Sequence, residues 1–155
     1  MSQQSKVRWG ILGAARINQQ LMPAIIAASN SELTAIASRR PGAAEAILEQ
    51  YAPGIENVRL YNDPAELLKD PDIQAVYIPL ANQEHAKWAL RAIEHGKHVL
   101  CEKPMALSIS DIEAIQAATE KHQVCVMEGF MYRFHPQHQR IQEIISSGAI
   151  GDVRS

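Results

Sequence analysis

The feature that most constrains the fold is a regular alternation of short apolar runs with longer helix-forming stretches along almost the whole chain. Apolar runs fall at 7–12, 33–37, 57–61, 75–78, 98–101 and 124–127, the third of them weak. Between and after them, helical stretches cover 14–29, 42–51, a segment opening at Asp63-Pro64, 84–94, 108–121 and 136–147. Strands that are apolar on both faces and separated by helices belong in a parallel sheet covered on both sides. The punctuation agrees. Asp63-Pro64 supplies a capping acid and a proline for the first helical turn. Gly96 and Gly148 stand where helices stop. The predicted class is α/β, a doubly wound, mostly parallel six-stranded sheet in a single domain. Its bounds are 7–150, with a disordered tail over 1–6 and the start of a crossing segment over 151–155. There is no repeat, no low-complexity stretch and no linker before about Gly148.

Composition excludes several classes. The 155 residues suffice for one core. A net charge of -2, with bases and acids interspersed, gives no basic stripe for nucleic acid. No apolar run approaches membrane-spanning length, so no membrane partner is expected. The opening Met1 to Lys6 is polar with no apolar region behind it, so no secretory leader is predicted. Cys101 and Cys125 both fall in runs that read as buried strands, and no CxxC pair is present. A cytoplasmic, reducing setting without a metal site is the simpler reading.

The chemistry concentrates where strands end, which is where open α/β sheets bind ligands. After the first strand the chain reads Trp9-Gly10-Ile11-Leu12-Gly13-Ala14-Ala15-Arg16-Ile17-Asn18. The dinucleotide fingerprint G-x-G-x-x-G would place three glycines here. Gly13 takes the first position, Ala15 replaces the second and Asn18 the third. The context remains right for a pyrophosphate: strand, tight turn, then a helix N-terminus with free N–H groups. After the second strand comes Ser38-Arg39-Arg40, with no acid before Glu45. A carboxylate there would suit the 2′-hydroxyl of NAD, whereas guanidiniums suit the 2′-phosphate of NADP. NADP(H) is therefore the preferred cofactor, with NAD(H) second.

After the fourth strand, Pro79-Leu80-Ala81-Asn82-Gln83-Glu84-His85 turns into a helix. Asn82 suits its N-cap, and His85 lies one turn in, either packed or facing the crevice. The fifth strand runs through Val99-Leu100-Cys101 into Glu102-Lys103-Pro104. Charges are costly to desolvate, so an acid and a base at a strand exit ask for a role beyond packing. Proline fixes the backbone beside Lys103. The sixth strand exits into Glu128-Gly129-Phe130-Met131-Tyr132-Arg133-Phe134-His135-Pro136, a loop that mixes an acid, a phenol, a guanidinium and an imidazole with apolar packing residues.

Together these residues resemble the Gfo/Idh/MocA (glucose–fructose oxidoreductase / inositol dehydrogenase) family. The matching residues are Trp9 to Gly13, Ser38-Arg39, Asn82 with His85, Gly96-Lys97-His98-Val99 through Glu102-Lys103-Pro104, and Met127-Glu128 through Pro136. Within that family the chain is most similar to the NADP-dependent sugar and dihydrodiol dehydrogenase branch. Ala15 departs from the usual glycine, and Ala81 from a frequent proline.

The resemblance implies a Rossmann fold for this chain and, in the full enzyme, a second α/β domain that closes the substrate site. That substrate domain is absent from the sequence, which ends at the crossing segment. It implies hydride transfer between a nicotinamide cofactor and a sugar, polyol or related hydroxyl compound. Lys103 and Glu102 would be the catalytic pair, with Lys103 bonding the reacting oxygen. Glu102 would orient the lysine or contact the nicotinamide ribose. Cofactor contacts would come from Gly13, Ala15, Arg16 and Ile17 at the first turn, and from Ser38, Arg39 and Arg40 at the second strand's exit. Leu80, Asn82 and His85 would line the nicotinamide side, with Glu102, Lys103 and Arg133 beside them. The Lys103–Pro104 peptide would be cis. The isolated half would bind the dinucleotide weakly, turn over little or not at all, and self-associate as a homodimer through apolar groups at Phe130, Met131, Phe134 and Ile150.

Two other readings stay open at this level. One is a non-catalytic NADP(H)-binding sensor or regulatory module, against which the retention of Lys103 argues. The other is a different doubly wound enzyme. A short-chain dehydrogenase needs Tyr-x-x-x-Lys, and no tyrosine here has lysine four residues on; Gly-x-Ser-x-Gly and His-Glu-x-x-His are missing too.

Overall fold

The computed structural model describes residues 6–154. The predicted tail at 1–6 lies outside the described residues except for Lys6. The elements follow the predicted alternation: β1 (Val7–Leu12), α1 (Asn18–Ala27), β2 (Ser31–Ala37), α2 (Ala43–Tyr51), β3 (Arg59–Tyr61), α3 (Pro64–Lys69), β4 (Ala75–Ile78), α4 (Asn82–Glu94), β5 (His98–Cys101), α5 (Ile109–His122), β6 (Val126–Glu128) and α6 (Pro136–Ser146). A single 3-10 turn, Met131–Phe134, precedes α6. Residues 151–154 carry no regular structure.

All six strands pair in parallel, in the order β3-β2-β1-β4-β5-β6. The chain winds outward from β1 to β3, then crosses back to β4 and winds the other way. The order reverses between β1 and β4, and a crevice opens there beyond the carboxyl ends of the strands. This is the doubly wound Rossmann architecture expected from the sequence.

Side chains alternate between the two faces of the sheet, as the strand period requires. On one face Ile11, Ile36 and Tyr77 pack with Met22 and Ile25 of α1 and Ala44 of α2. On the other, Leu12, Val76, Ile78, Val99 and Cys101 pack with Trp88, Ala89 and Ile93 of α4 and Ile115 of α5. The helix starts show why they form. Asp63 accepts the Ala65 amide ahead of Pro64, and Ser108 accepts the Asp111 amide ahead of α5. Each satisfies a donor that the first helical turn leaves orphaned.

Four expectations need correction. The first helix begins at Asn18 rather than Ala14, because residues 13–17 stay in an open turn. β3 begins at Arg59 rather than Asn57, whose positive φ of 65° breaks the extended run. Asn82 is the first residue of α4 and not its cap; Ala81 holds that position and has no side chain to accept with. Cys125 is exposed, since it precedes the short edge strand rather than lying in a covered one; Cys101 is buried as expected.

Backbone bonds continue the ladder past the strand ends and gather the exits. Gly13 N–H donates to the Ala37 carbonyl at 2.8 Å, Ser38 to Tyr61 at 2.9 Å, Glu102 to Ile78 at 3.1 Å and Gly129 to Cys101 at 2.7 Å. The loops that carry the candidate residues are thereby pinned to one another along a single edge.

Candidate functional site

The turn over residues 13–17 is built around Gly13. Its φ is +122°, and an added Cβ would lie 2.7 Å from Leu80 Cδ2. Only glycine combines that backbone conformation with so close a neighbour. The amides of Ala14, Ala15, Arg16 and Ile17 donate to no protein atom among the described residues. Asn18, fully buried, donates from Nδ2 to the Gly13 carbonyl at 2.9 Å and so holds the turn from inside. Free N–H groups at the start of a helix form a site for a pyrophosphate. Ala15 occupies the degraded second glycine position without closing the turn.

Beside this turn lies a cleft of about 310 Å³. It is lined by Gly13, Ala14 and Ala15, by Ser38, Arg39 and Arg40, and by Leu80 with its neighbours in the β4 exit. Six of the residues singled out in the sequence thus meet in one place. Ser38 is buried, and its Oγ accepts the Arg40 amide at 3.2 Å. The Arg40 guanidinium reaches back to the Ala14 carbonyl at 2.5 Å and latches the second loop to the first. Arg39 is exposed at the rim and has no hydrogen-bond or ion-pair partner among the described residues.

A second groove, of about 300 Å³, lies toward β6. Ile17 and Leu21 of the first helix region, Leu100, Met127, Phe130 and Phe134 give it apolar walls, and Gln20, Tyr77, Glu102 and Glu128 are its polar side chains. The Tyr77 hydroxyl donates to Glu102 Oε1 at 2.7 Å. Glu128 Oε1 accepts the Met105 amide at 2.8 Å, fastening the β6 exit to the loop after Pro104. Burial, followed by the charges of Glu102 and Glu128, pushes the Cys101 thiol up to about 12, so this thiol is inert.

Lys103 is exposed and makes no hydrogen bond or ion pair among the described residues. The Lys103–Pro104 peptide is cis, as the resemblance implied. Glu102 accepts from Tyr77 and makes no bond to its neighbour Lys103. His85 takes the packed one of its two alternatives. It is 1% exposed, with Nδ1 2.7 Å from the Pro104 carbonyl oxygen and Nε2 2.8 Å from that of Leu80. Both ring nitrogens are occupied by backbone, so the imidazole braces two loops of the site from within. Arg16, Asn82 and Arg133 are exposed beside these loops and line neither cleft.

Tyr77 was missed from the sequence because a tyrosine inside an apolar strand reads as core. The one available signal was its place at the carboxyl end of β4, next to the switch point.

The chain is similar along almost its whole length to several known proteins. A D-xylose 1-dehydrogenase (NADP(+)) from Haloferax volcanii is 41% identical over 149 residues, covering 95% of this chain and 45% of that protein. A dTDP-3,4-didehydro-2,6-dideoxy-alpha-D-glucose 3-reductase from Actinomadura kijaniata is 40% identical over 150 residues, covering 96% and 44%. The crystal structure of a 3-ketoreductase from Actinomadura kijaniata, in complex with NADP and TDP-benzene, superimposes with a TM-score of 0.88 at 35% identity, over 97% of this chain and 45% of that one. The chain therefore spans less than half the length of these relatives. The model of the oxidoreductase family with the NAD-binding Rossmann fold, Gfo/Idh/MocA, matches residues 7–130, and the chain belongs to that family.

Proposed function

We propose that this chain is the NADP(H)-binding part of an oxidoreductase that moves a hydride between a nicotinamide cofactor and a sugar, polyol or related hydroxyl compound. The observation that carries the reading is the cleft that joins Gly13 and the unpaired amides of Ala14 and Ala15 to Ser38, Arg39 and Arg40. The free amides and the missing Gly13 side chain fit a pyrophosphate, and Arg39 fits a 2′-phosphate with no carboxylate nearby to repel it. The named activities of the xylose dehydrogenase and the ketoreductase support the same substrate class.

Each part then has a task. The 14–17 amides hold the diphosphate, and Arg39 at the rim holds the 2′-phosphate. Arg40 keeps the two binding loops together through Ala14. Glu102 accepts hydrogen bonds from the ribose next to the nicotinamide. His85 keeps the Leu80 and Pro104 loops at a fixed separation. When bound, the dinucleotide supplies the hydride chemistry. Lys103, with no partner among the described residues, donates to the reacting oxygen and stabilises charge there. Water exclusion would come from a further domain.

The setting we propose is cytoplasmic, with free thiols at Cys101 and Cys125. Among the described residues no helix is long and apolar enough to cross a membrane. The partners are the dinucleotide, a small hydroxyl substrate in the longer enzyme and a second copy of this chain, with no nucleic acid. Quenching of the protein's tryptophan emission during an NADPH titration tests the reading: saturable binding is expected, and none at millimolar cofactor would remove it.

A further inference from the structure

β4 reads Ala75-Val76-Tyr77-Ile78 and carries one side-chain hydroxyl. Tyr77 stands opposite Ile11 of β1 and Leu100 of β5, at the centre of the sheet. Its ring belongs to the same core cluster as Ile11, Met22 and Ile36, and the residue is 1% exposed. Phenylalanine would fill that volume without a polar group to satisfy. The hydroxyl instead emerges at the carboxyl edge and donates to Glu102 Oε1 at 2.7 Å. A bond from a neutral donor to a carboxylate is of the stronger kind. Burial first, and the Glu102 carboxylate second, hold the phenol well above its usual value, so it remains a donor at any working pH.

Glu102 is confined on its other side as well. A Cβ at position 129 would lie 3.3 Å from the Cys101 carbonyl oxygen and 3.5 Å from Glu102 Oε1. The β6 exit thus runs close against the Cys101 carbonyl at Gly129, with the carboxylate beside it at ordinary contact distance. One carboxylate oxygen is fixed, and the other has no protein donor among the described residues. The acid is held in the groove and kept apart from Lys103.

We propose that Tyr77 is the positioning residue of the reactive end of the site: it sets the Glu102 carboxylate to accept from the ribose that carries the nicotinamide. This rests on the cofactor reading above. The rigid part of the device is the sheet, because Tyr77 cannot move without disturbing β1 and β5.

A double-mutant cycle with two ligands tests it. NADPH carries the nicotinamide ribose; 2′,5′-ADP carries the phosphate-bearing end alone. Dissociation constants are measured for the parent chain, Tyr77→Phe, Glu102→Ala and the double variant. Tyr77→Phe is expected to weaken NADPH by roughly fivefold, about the worth of one hydrogen bond. It should leave 2′,5′-ADP unchanged, which also shows that the variant folds. On the Glu102→Ala background it should add no further loss. Equal losses for both ligands, no loss for NADPH, or the same loss without Glu102 would each overturn the inference alone. A parent chain that binds neither ligand would overturn the cofactor reading and this inference with it.

Discussion

Arg39 and Arg40 are neighbours in sequence and do different work. Arg40 is committed to the Ala14 carbonyl, whereas Arg39 has no partner among the described residues and stands at the rim of the cleft. Arg39→Asp should therefore reduce NADPH affinity by roughly tenfold or more, the scale of a charge-assisted bond replaced by repulsion, and leave NADH nearly unaffected. Parallel titrations of the variant check this; an equal loss for both cofactors would assign Arg39 to the fold. The positive charge that suits a phosphate was legible in Ser38-Arg39-Arg40 because charge chemistry is local. The division of labour was not, since the partner of Arg40 lies 26 residues away. His85 shows the same limit. Its spacing from Asn82 is visible in the chain, but the carbonyl of Pro104 that occupies its Nδ1 is brought there only by β5.

At the scale of elements, the alternation of strands and helices was readable because apolar runs and caps are short-range signals. The errors fall at ends. The late start of α1 is set by the open turn at Gly13, whose φ of +122° lies outside the helical region. The bonds among a second group of residues escaped the sequence. Asp70, just past α3, accepts from the Tyr61 hydroxyl at 2.7 Å and from the Asp72 amide at 2.9 Å, and pairs with Arg59 at 2.7 Å. Lys97, buried between α4 and β5, donates to the carbonyls of Asp70 and Ile73 at 2.7 and 2.8 Å. These bonds tie the entry of β4 to β3 and β5. Burial opposes the Asp70 charge, but its bonds from Tyr61, Asp72 and Arg59 prevail and hold the carboxyl below its usual 3.8. The fold thus binds the Asp70 proton less tightly than the unfolded chain does. The stability this brings is present above pH 3.8 and is lost as pH falls through the folded value. Thermal midpoints measured across acid pH should show that loss, and Asp70→Asn should lower the midpoint at neutral pH while flattening the acid limb. An unchanged acid limb would show that the network does not couple to folding.

On the scale of the whole molecule, each face of the sheet has its core, yet the surface beyond β6 is apolar. Met131 is 61% exposed, Phe134 71% and Ile150 63%, while Phe130 is half-buried. Three of the four groups expected to be uncovered are so, and Phe130 is the exception because its ring lies against Tyr132, 5.6 Å away between centroids. Surface of this kind favours association. Sedimentation of the chain at rising concentration should show a reversible shift toward dimer, and Phe134→Ser should reduce it. A strictly monomeric chain would mean that these side chains fold onto the domain in solution.

The central claim is that the strand exits form a dinucleotide site tuned to a 2′-phosphate. Calorimetric titration of the chain with NADPH and with NADH tests it most directly. Tighter binding of NADPH, by roughly tenfold or more, is the predicted result. Equal affinities, or a preference for NADH, would contradict it.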